Sequence, residues 1–485
     1  MGAKHDRCLC RMDETTTLWL SFDSSSCIWL NCAHTKTSQL VLVTIRKLWP
    51  AGVLQTEFEK NGKKFILNDV DSSDLEAHVA KLQLLCGLFD VLRRVGWNFQ
   101  LSTTLTGNTP SVNMFLFQRS DLNNSIRNWL PVCVSLISCN ELAVIGATEP
   151  LIQMIKDAVG RNQIRGQTCI ADNKCQHFVI HGTPWFDSSR REEKTKGHRV
   201  ALNVIRCLNS AGYHYHGSFI LPNHSDNLFF LQTQDEPLDS HNSFCILSLN
   251  KSDKIKLIDA DPFTCTVVER TISQYWAKGL HSKKWHQKYV EFKLCGKPWK
   301  SKGAQRQNES AQFLNRLFEQ LVETGWLVYC TLDTSRKLND NAIFVLKSCA
   351  PTCAVFSFLT LTDSRVLRLT HADPLACSNV FLDLTHGLRM DLIAEDKANG
   401  SIELRPREDV FQSTTKAQSF MSQLFATLIN ADYKLVSVNS LNNCVHFRKT
   451  KYRSWLLAVD ELCLERIQHE IVENSATKKK IKFFL

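Results

Sequence analysis

One pattern recurs four times along this chain and limits its fold more than any other feature. An amphipathic helix ends at a glycine and an aromatic residue, and strand-like runs follow. Apolar residues step by three and four at Leu75, Val79, Leu82, Leu85, Phe89 and Leu92, then at Val200, Val204, Cys207 and Ala211. The same stripe returns at Leu314, Leu317 and Leu321, and at Met421, Leu424 and Leu428. That spacing puts one apolar face on each helix. The stripes run into Gly96-Trp97, Gly212-Tyr213 and Gly325-Trp326, where glycine supplies the left-handed cap residue, and the fourth copy substitutes Asp432-Tyr433. Residues 97, 213, 326 and 433 lie 116, 113 and 107 apart, so a unit of about 110 residues tiles the chain.

Strand patterns complete the unit. Tyr289–Trp299 alternates polar and apolar residues and ends in Gly296-Lys297-Pro298-Trp299. Gln176–Trp185 repeats it, Thr56–Phe65 does so more loosely, and Ser401–Leu404 keeps the strand alone. After each aromatic come strand-like runs, such as Leu327–Cys330, Ala342–Leu346 and Val355–Leu359. Glu149-Pro150, Asp261-Pro262 and Asp373-Pro374 then mark the first turn of a second helix. Short turns between strands favour antiparallel pairing, and a helix needs an apolar sheet face to cover. The expectation is an α+β protein of about four tandem repeats of about 110 residues. Each is a small, mostly antiparallel sheet covered by one or two helices, in the order strand–helix–strand–strand–strand–helix. Units of this size fill a core alone, so they are expected as beads, either separate or docked on one another, rather than a continuous superhelix.

This phasing assigns residues 1–50 to a partial, truncated or degenerate repeat, 51–165 to repeat 1 and 166–285 to repeat 2. Residues 286–395 form repeat 3, and 396–485 a degenerate repeat 4. The tail Trp49-Pro50-Ala51-Gly52 matches Trp276-Ala277-Lys278-Gly279, the end of repeat 2. Half a sheet cannot fill its own core. The first 50 residues are therefore expected either to pair with another unit or to lack an upstream half. The Gly-x-Pro-Trp, helix, Gly-Trp pattern resembles tandem-repeat proteins of animals to which no activity is attached. The resemblance supports the repeat and implies no cofactor or catalytic residue.

Bulk properties exclude several classes. No run approaches the roughly 18 apolar residues that cross a membrane. The opening residues have no apolar core of a secretory signal, and Gly2 lacks the Ser or Thr at position 6 of a myristoylation site. Nineteen cysteines are scattered without a Cys-x-x-Cys; the close pairs Cys8/Cys10 and Cys349/Cys353 have no second half of a zinc site. Cys86, Cys207, Cys245 and Cys330 sit inside apolar runs and read as reduced core thiols. That places the chain in the cytosol or the nucleus, where Asn223-His224-Ser225 means nothing as a glycosylation triplet. No metal or cofactor is expected. His214 and His216 share a strand face but lack further ligands.

The clearest charge feature is residues 278–306, with nine Lys or Arg, one acid (Glu291), and Trp285, Tyr289, Phe292 and Trp299 interleaved. Cations beside exposed aromatics can follow a phosphate backbone and stack on bases. A polyanion site here requires Lys283, Lys284, Lys288, Lys297 and Lys300, with Trp285, on one exposed face. The alternative is a linker and an edge strand guarded by lysines. Lys478–Lys480 and Lys482 form a short basic tail, either a frayed end or a nuclear address. Trp185 and Trp299 read as turn residues packed over helix ends. Asp259, Asp261 and Asp373 read as caps and turn formers. No phosphate loop, nucleophile elbow or His-Glu-x-x-His occurs. What recurs is apolar residues, Gly, Pro and aromatics. The expectation is a non-enzymatic interaction or scaffold protein with protein partners and no membrane contact, nucleic acid being the alternative.

Overall fold

The computed structural model describes residues 17–460 except 23–26, 32–33, 60–61, 71–73, 106–111, 120–130, 171–173, 186–190, 221–225, 233–242, 301–303, 333–341, 362–365, 372–389, 397–400, 408–413, 431–433 and 440–452. Unit 1 runs β1 (Thr17–Phe22), β2 (Cys27–Asn31), α1 (Thr35–Leu48), β3 (Val53–Glu59), β4 (Gly62–Leu67), α2 (Asp74–Arg94), β5 (Trp97–Leu105) and β6 (Val112–Arg119). Unit 2 repeats this as β7 (Val132–Leu136), β8 (Glu141–Ile145), α3 (Glu149–Val159), β9 (Ile164–Ile170), β10 (Cys175–Ile180), α4 (Arg191–Ser210), β11 (Tyr213–Ile220) and β12 (Asp226–Gln232). Unit 3 comprises β13 (Phe244–Asn250), β14 (Lys254–Ile258), α5 (Pro262–Tyr275), β15 (Leu280–His286), β16 (Tyr289–Leu294), α6 (Ala304–Glu323), β17 (Trp326–Leu332) and β18 (Ile343–Ser348). Unit 4 comprises β19 (Ala354–Leu361), β20 (Leu367–His371), β21 (Met390–Asp396), β22 (Ser401–Pro406), α7 (Thr414–Asn430), β23 (Lys434–Asn439) and β24 (Arg453–Asp460).

Each unit is one six-stranded antiparallel sheet with the same order, β3-β4-β2-β1-β6-β5 in unit 1. The α+β class and the repeat stand; the phase differs. β6 pairs back with β1, and β12 with β7, so each sheet begins 34 to 42 residues, about a third of a repeat, before the cuts at 51, 166, 286 and 396. Residues 17–50 are the start of unit 1, and their β1–β2 hairpin fills the centre of its sheet between β4 and β6.

The units are not separate beads. β13 is buried along its whole length, and its residues alternate between two cores. Cys245, Leu247 and Leu249 pack with Ile272, Phe313 and Leu317 of the unit's own helices. Phe244 and Ile246 pack with Val200 and Val204 of α4 from the preceding unit. β7 does the same: Val134 and Leu136 face their own helices, while Cys133 joins the core holding α2 residues Leu85 and Phe89. Strands covered on both faces read as near-continuous apolar runs, as Val132–Leu136 does. Sheets and long helices thus alternate in layers, and the last unit meets the first. Trp19 of β1 lies 6.5 Å from Phe425 of α7, and Thr17 Oγ1 is 3.2 Å from Ser422 Oγ. The strands β5, β11, β17 and β23 touch in succession, and β23 returns to β5. The four units form a closed ring.

Local chemistry explains the element ends. Gly96, Gly212 and Gly325 have φ of 88°, 78° and 90°, the left-handed values expected after α2, α4 and α6. Asp261 caps α5 by accepting from the Thr264 amide at 2.8 Å, with Pro262 in the first turn. Trp185 and Trp299 are buried, and the Trp299 indole donates to the Lys254 carbonyl at 3.1 Å, so neither forms a ligand platform. Cys86, Cys207, Cys245 and Cys330 are buried in the cores. Cys8, Cys10, Asn223–Ser225, Asp373-Pro374, Asp432-Tyr433 and the basic tail at 478–482 lie outside the described residues. Among the described residues, no helix is long and apolar enough to cross a membrane.

Candidate functional site

Strand pairing decides where the basic segment's charges go. Lys283 and Lys284 are neighbours on β15 and so point to opposite faces. Lys283 faces α5, where Glu269 accepts from its Nζ at 2.6 Å and the Trp285 ring lies 5.0 Å away. Lys284 points to the other face, in register with Glu291. Lys288 is exposed in the β15–β16 turn. Lys297 and Lys300 lie beyond the far end of β16, about 20 Å along the strand. The five lysines therefore do not share one face, and Trp285, 60% exposed, accompanies only Lys283.

The pairing instead assembles a cluster that a linear reading misses. β14 lies beside β16, with Lys254 opposite Lys293 and Lys256 opposite Glu291. Lys254, Lys256, Lys284 and Lys293 thus share the face turned from α5, around Glu291. Lys254 donates to the Glu291 carboxylate, Lys256 Nζ sits 4.8 Å over the Tyr289 ring, and His286 stacks on Tyr289 at 4.3 Å. Lys254 and Lys256 fall outside residues 278–306, so only the β14–β16 register reveals them.

The equivalent positions of the other units carry different chemistry. Where unit 3 pairs Lys284 on its outer strand with Glu291, unit 1 pairs Glu57 with Lys64, at 3.2 Å. Unit 2 pairs Thr168 with His177, and unit 4 pairs Ala394 with Glu403. His177 is also 3.4 Å from Glu141, and Arg368 binds Glu403 at 2.6 Å. The next outer-strand residue is Phe58 in unit 1, 77% exposed, Cys169 in unit 2 and Trp285 in unit 3. The frame is constant while the outer strand changes charge and shape.

Polar groups inside the ring tie units together. His78 Nε2 of α2 lies 3.0 Å from Ser135 Oγ of β7, both shut off from solvent. Asp259, with φ of 58°, binds Arg199 and Arg206 of α4 at 3.1 and 3.2 Å. The Tyr329 hydroxyl accepts from the Tyr215 amide at 2.8 Å and from Asn209 at 3.3 Å. Each inner strand carries a bulge at the same place, at Gln100, His216, Tyr329 and Val436. Burial, then the charges of Arg93 and His214, pushes the His216 imidazole down to about 4. Burial pushes the Cys207 thiol up to about 11 and the Cys175 thiol up to about 12, so neither is a ready nucleophile. Among the described residues, no group of three His, Cys, Asp or Glu side chains is placed to hold a metal, His214 and His216 included.

One family profile, that of a single domain, matches the chain at residues 16–118, 131–236 and 243–347, intervals that coincide with the first three sheets. No curated protein matches the chain significantly. Among solved structures, a conserved kinetoplastid-specific protein from Trypanosoma cruzi is similar over 22% of this chain and 97% of its own length, with 16% sequence identity and a TM-score of 0.18. The repeated profile match supports a repeat family and does not speak for a restriction to animals.

Proposed function

The chain belongs to the family defined by that repeated domain, and from the way its copies differ we infer that it is a non-enzymatic binding or scaffold protein. The observation that carries this reading is the divergence of equivalent outer positions on a constant frame: Glu57, Thr168, Lys284 and Ala394, followed by Phe58, Cys169, Trp285 and Glu395. A catalytic family of repeats keeps its polar working residues in each active copy. Here the recurring residues build turns, caps and cores, and the His78–Ser135 pair sits where no substrate reaches it. Exposed aromatics on an otherwise charged rim suit protein partners, and buried reduced thiols suit the cytosol or nucleus. The test is cross-linking in the native cell with wild type and a Phe58→Ser, Trp285→Ser double variant. Loss of specific partners in the variant supports the reading. Turnover by the purified protein that disappears in a folded His78→Asn variant overturns it.

A second reading rests on the lysine cluster of sheet 3. Only its outer end is open: Lys284 and His286 are exposed and Lys293 half-buried, whereas Lys256 is buried over Tyr289 and Lys254 is held by the buried Glu291, so the surface offered to a single-stranded phosphate backbone is short. This reading expects RNA binding that weakens steeply with salt and is lost in a Lys284→Ser, Lys293→Ser variant. Binding unchanged by those substitutions removes the cluster from consideration.

A further inference from the structure

The outer strands β3 and β15 end their sheets, so among the described residues each has one edge with no strand beside it. They belong to units 1 and 3, which are not neighbours in the ring. At the same register position β3 carries Glu57 and β15 carries Lys284, and the following residues are the exposed Phe58 and Trp285. The strands are oppositely charged overall: β3 holds two glutamates and no base, β15 two lysines and no acid. Lysines on an edge commonly guard against strand addition. That guard works between two like edges. It fails between β3 and β15, where the charges attract.

We propose that β3 of one copy pairs with β15 of a second copy, adding sheet to sheet in a head-to-tail association. Antiparallel pairing with Glu57 opposite Lys284 keeps corresponding sheet faces on one side and puts Phe58 opposite Lys283. Thr56 then faces Trp285, so Phe58 and Trp285 are diagonal neighbours on the helix-side face, within aromatic reach. β3 with β3 sets Glu57 near its own copy, and β15 with β15 does the same for Lys284, so each like pairing is disfavoured. Such an interface is heterologous and leaves a free edge at either end, which gives open chains rather than closed dimers. The proposal goes beyond the binding role above and stands without it.

The test is mass in solution against concentration, by light scattering or sedimentation, at low salt. The full chain of 55.4 kDa is expected to grow in mean mass with concentration, less so as salt rises. Glu57→Lys alone and Lys284→Glu alone each lower the association constant by about tenfold, since like charges then face each other. The double variant restores it, and so does an equimolar mixture of the two single variants. Circular dichroism checks that the substitutions at half-buried Glu57, paired with Lys64, and at exposed Lys284 leave the fold intact. Wild type that stays at the single-chain mass throughout overturns the proposal. So does association that survives both single variants, or that is lost instead on changing Asp391 and Glu395 of the acidic β21, because another edge then makes the contact.

Discussion

Every sheet has two edges, and they have been put to different uses. The inner edges β5, β11, β17 and β23 meet inside the ring, those of units 1 to 3 begin with Trp97, Tyr213 and Trp326, and they pack against the next unit. The outer edges β3, β9, β15 and β21 end the sheets and change from acidic to basic between units 1 and 3. Both edges carry a bulge in all four copies, the outer ones at Leu54, Arg165, His281 and Ile393. Bulging is thus a property of the frame. The inner edge is held by shape; the outer edge is free to vary.

The strongest way to break this comparison is at the inner side. Phe89 of α2 stacks on Phe99 at 5.0 Å and meets Phe115, Phe117 and Phe229 edge-on at 4.9–5.2 Å, joining units 1 and 2. Phe89→Ala is expected to cost about 3–5 kcal/mol, the usual range for a buried aromatic cut to alanine. Urea melts followed by tryptophan fluorescence check it. If the units were independent beads, the loss would stay within unit 1. In a closed ring, unit 2 loosens with it, which hydrogen exchange along β7 and β11 reads directly. Protection of β11 unchanged by Phe89→Ala contradicts the shared core.

A smaller effect distinguishes the inner bulges from the outer ones. His216 has a folded value near 4, below the unfolded value of about 6.5. As pH falls, the unfolded chain takes the proton first. The stability this group contributes is therefore present above about 6.5 and is lost progressively as pH falls toward 4. Discounted for its partial exposure, the loss is about 2 kcal/mol. Denaturation midpoints at pH 7 and pH 4.5, compared with His216→Gln, isolate it: the variant should show the shallower pH dependence. Equal slopes would remove His216 from the account.

The chain displays its frame openly and hides its contacts. Helix stripes, glycine caps and the Gly-x-Pro-Trp turns are local, so their 3.6- and 2-residue periods stand in the sequence. The phase of the unit is not local. A period fixes the length of a repeat and not its origin, and only the β1–β6 and β7–β12 ladders show where each sheet closes. The stacking of one unit on the next is hinted at in Val132–Leu136 and Phe244–Leu249, runs too apolar for a sheet with one wet face. The basic segment was legible as charge, but not as a surface. Alternation sends Lys283 and Lys284 to opposite faces, and pairing imports Lys254 and Lys256 from a strand some thirty residues away.

The smallest expected change in stability has the sharpest consequence for function. Trp285 is 60% exposed, and Lys283, whose ammonium lies over its ring, keeps Glu269 as partner without it. Trp285→Ser should therefore shift unfolding by no more than about 0.5 kcal/mol, as surface substitutions do. Trp299→Ser, only fourteen residues on but buried and bonded to the Lys254 carbonyl, should cost several times more. Parallel thermal melts of the two variants measure the difference. If Trp285→Ser also proves costly, the outer edge belongs to the frame and its aromatic is not held in reserve for a partner. If it is nearly silent in stability yet alters association, an exposed tryptophan has been kept where folding does not need it.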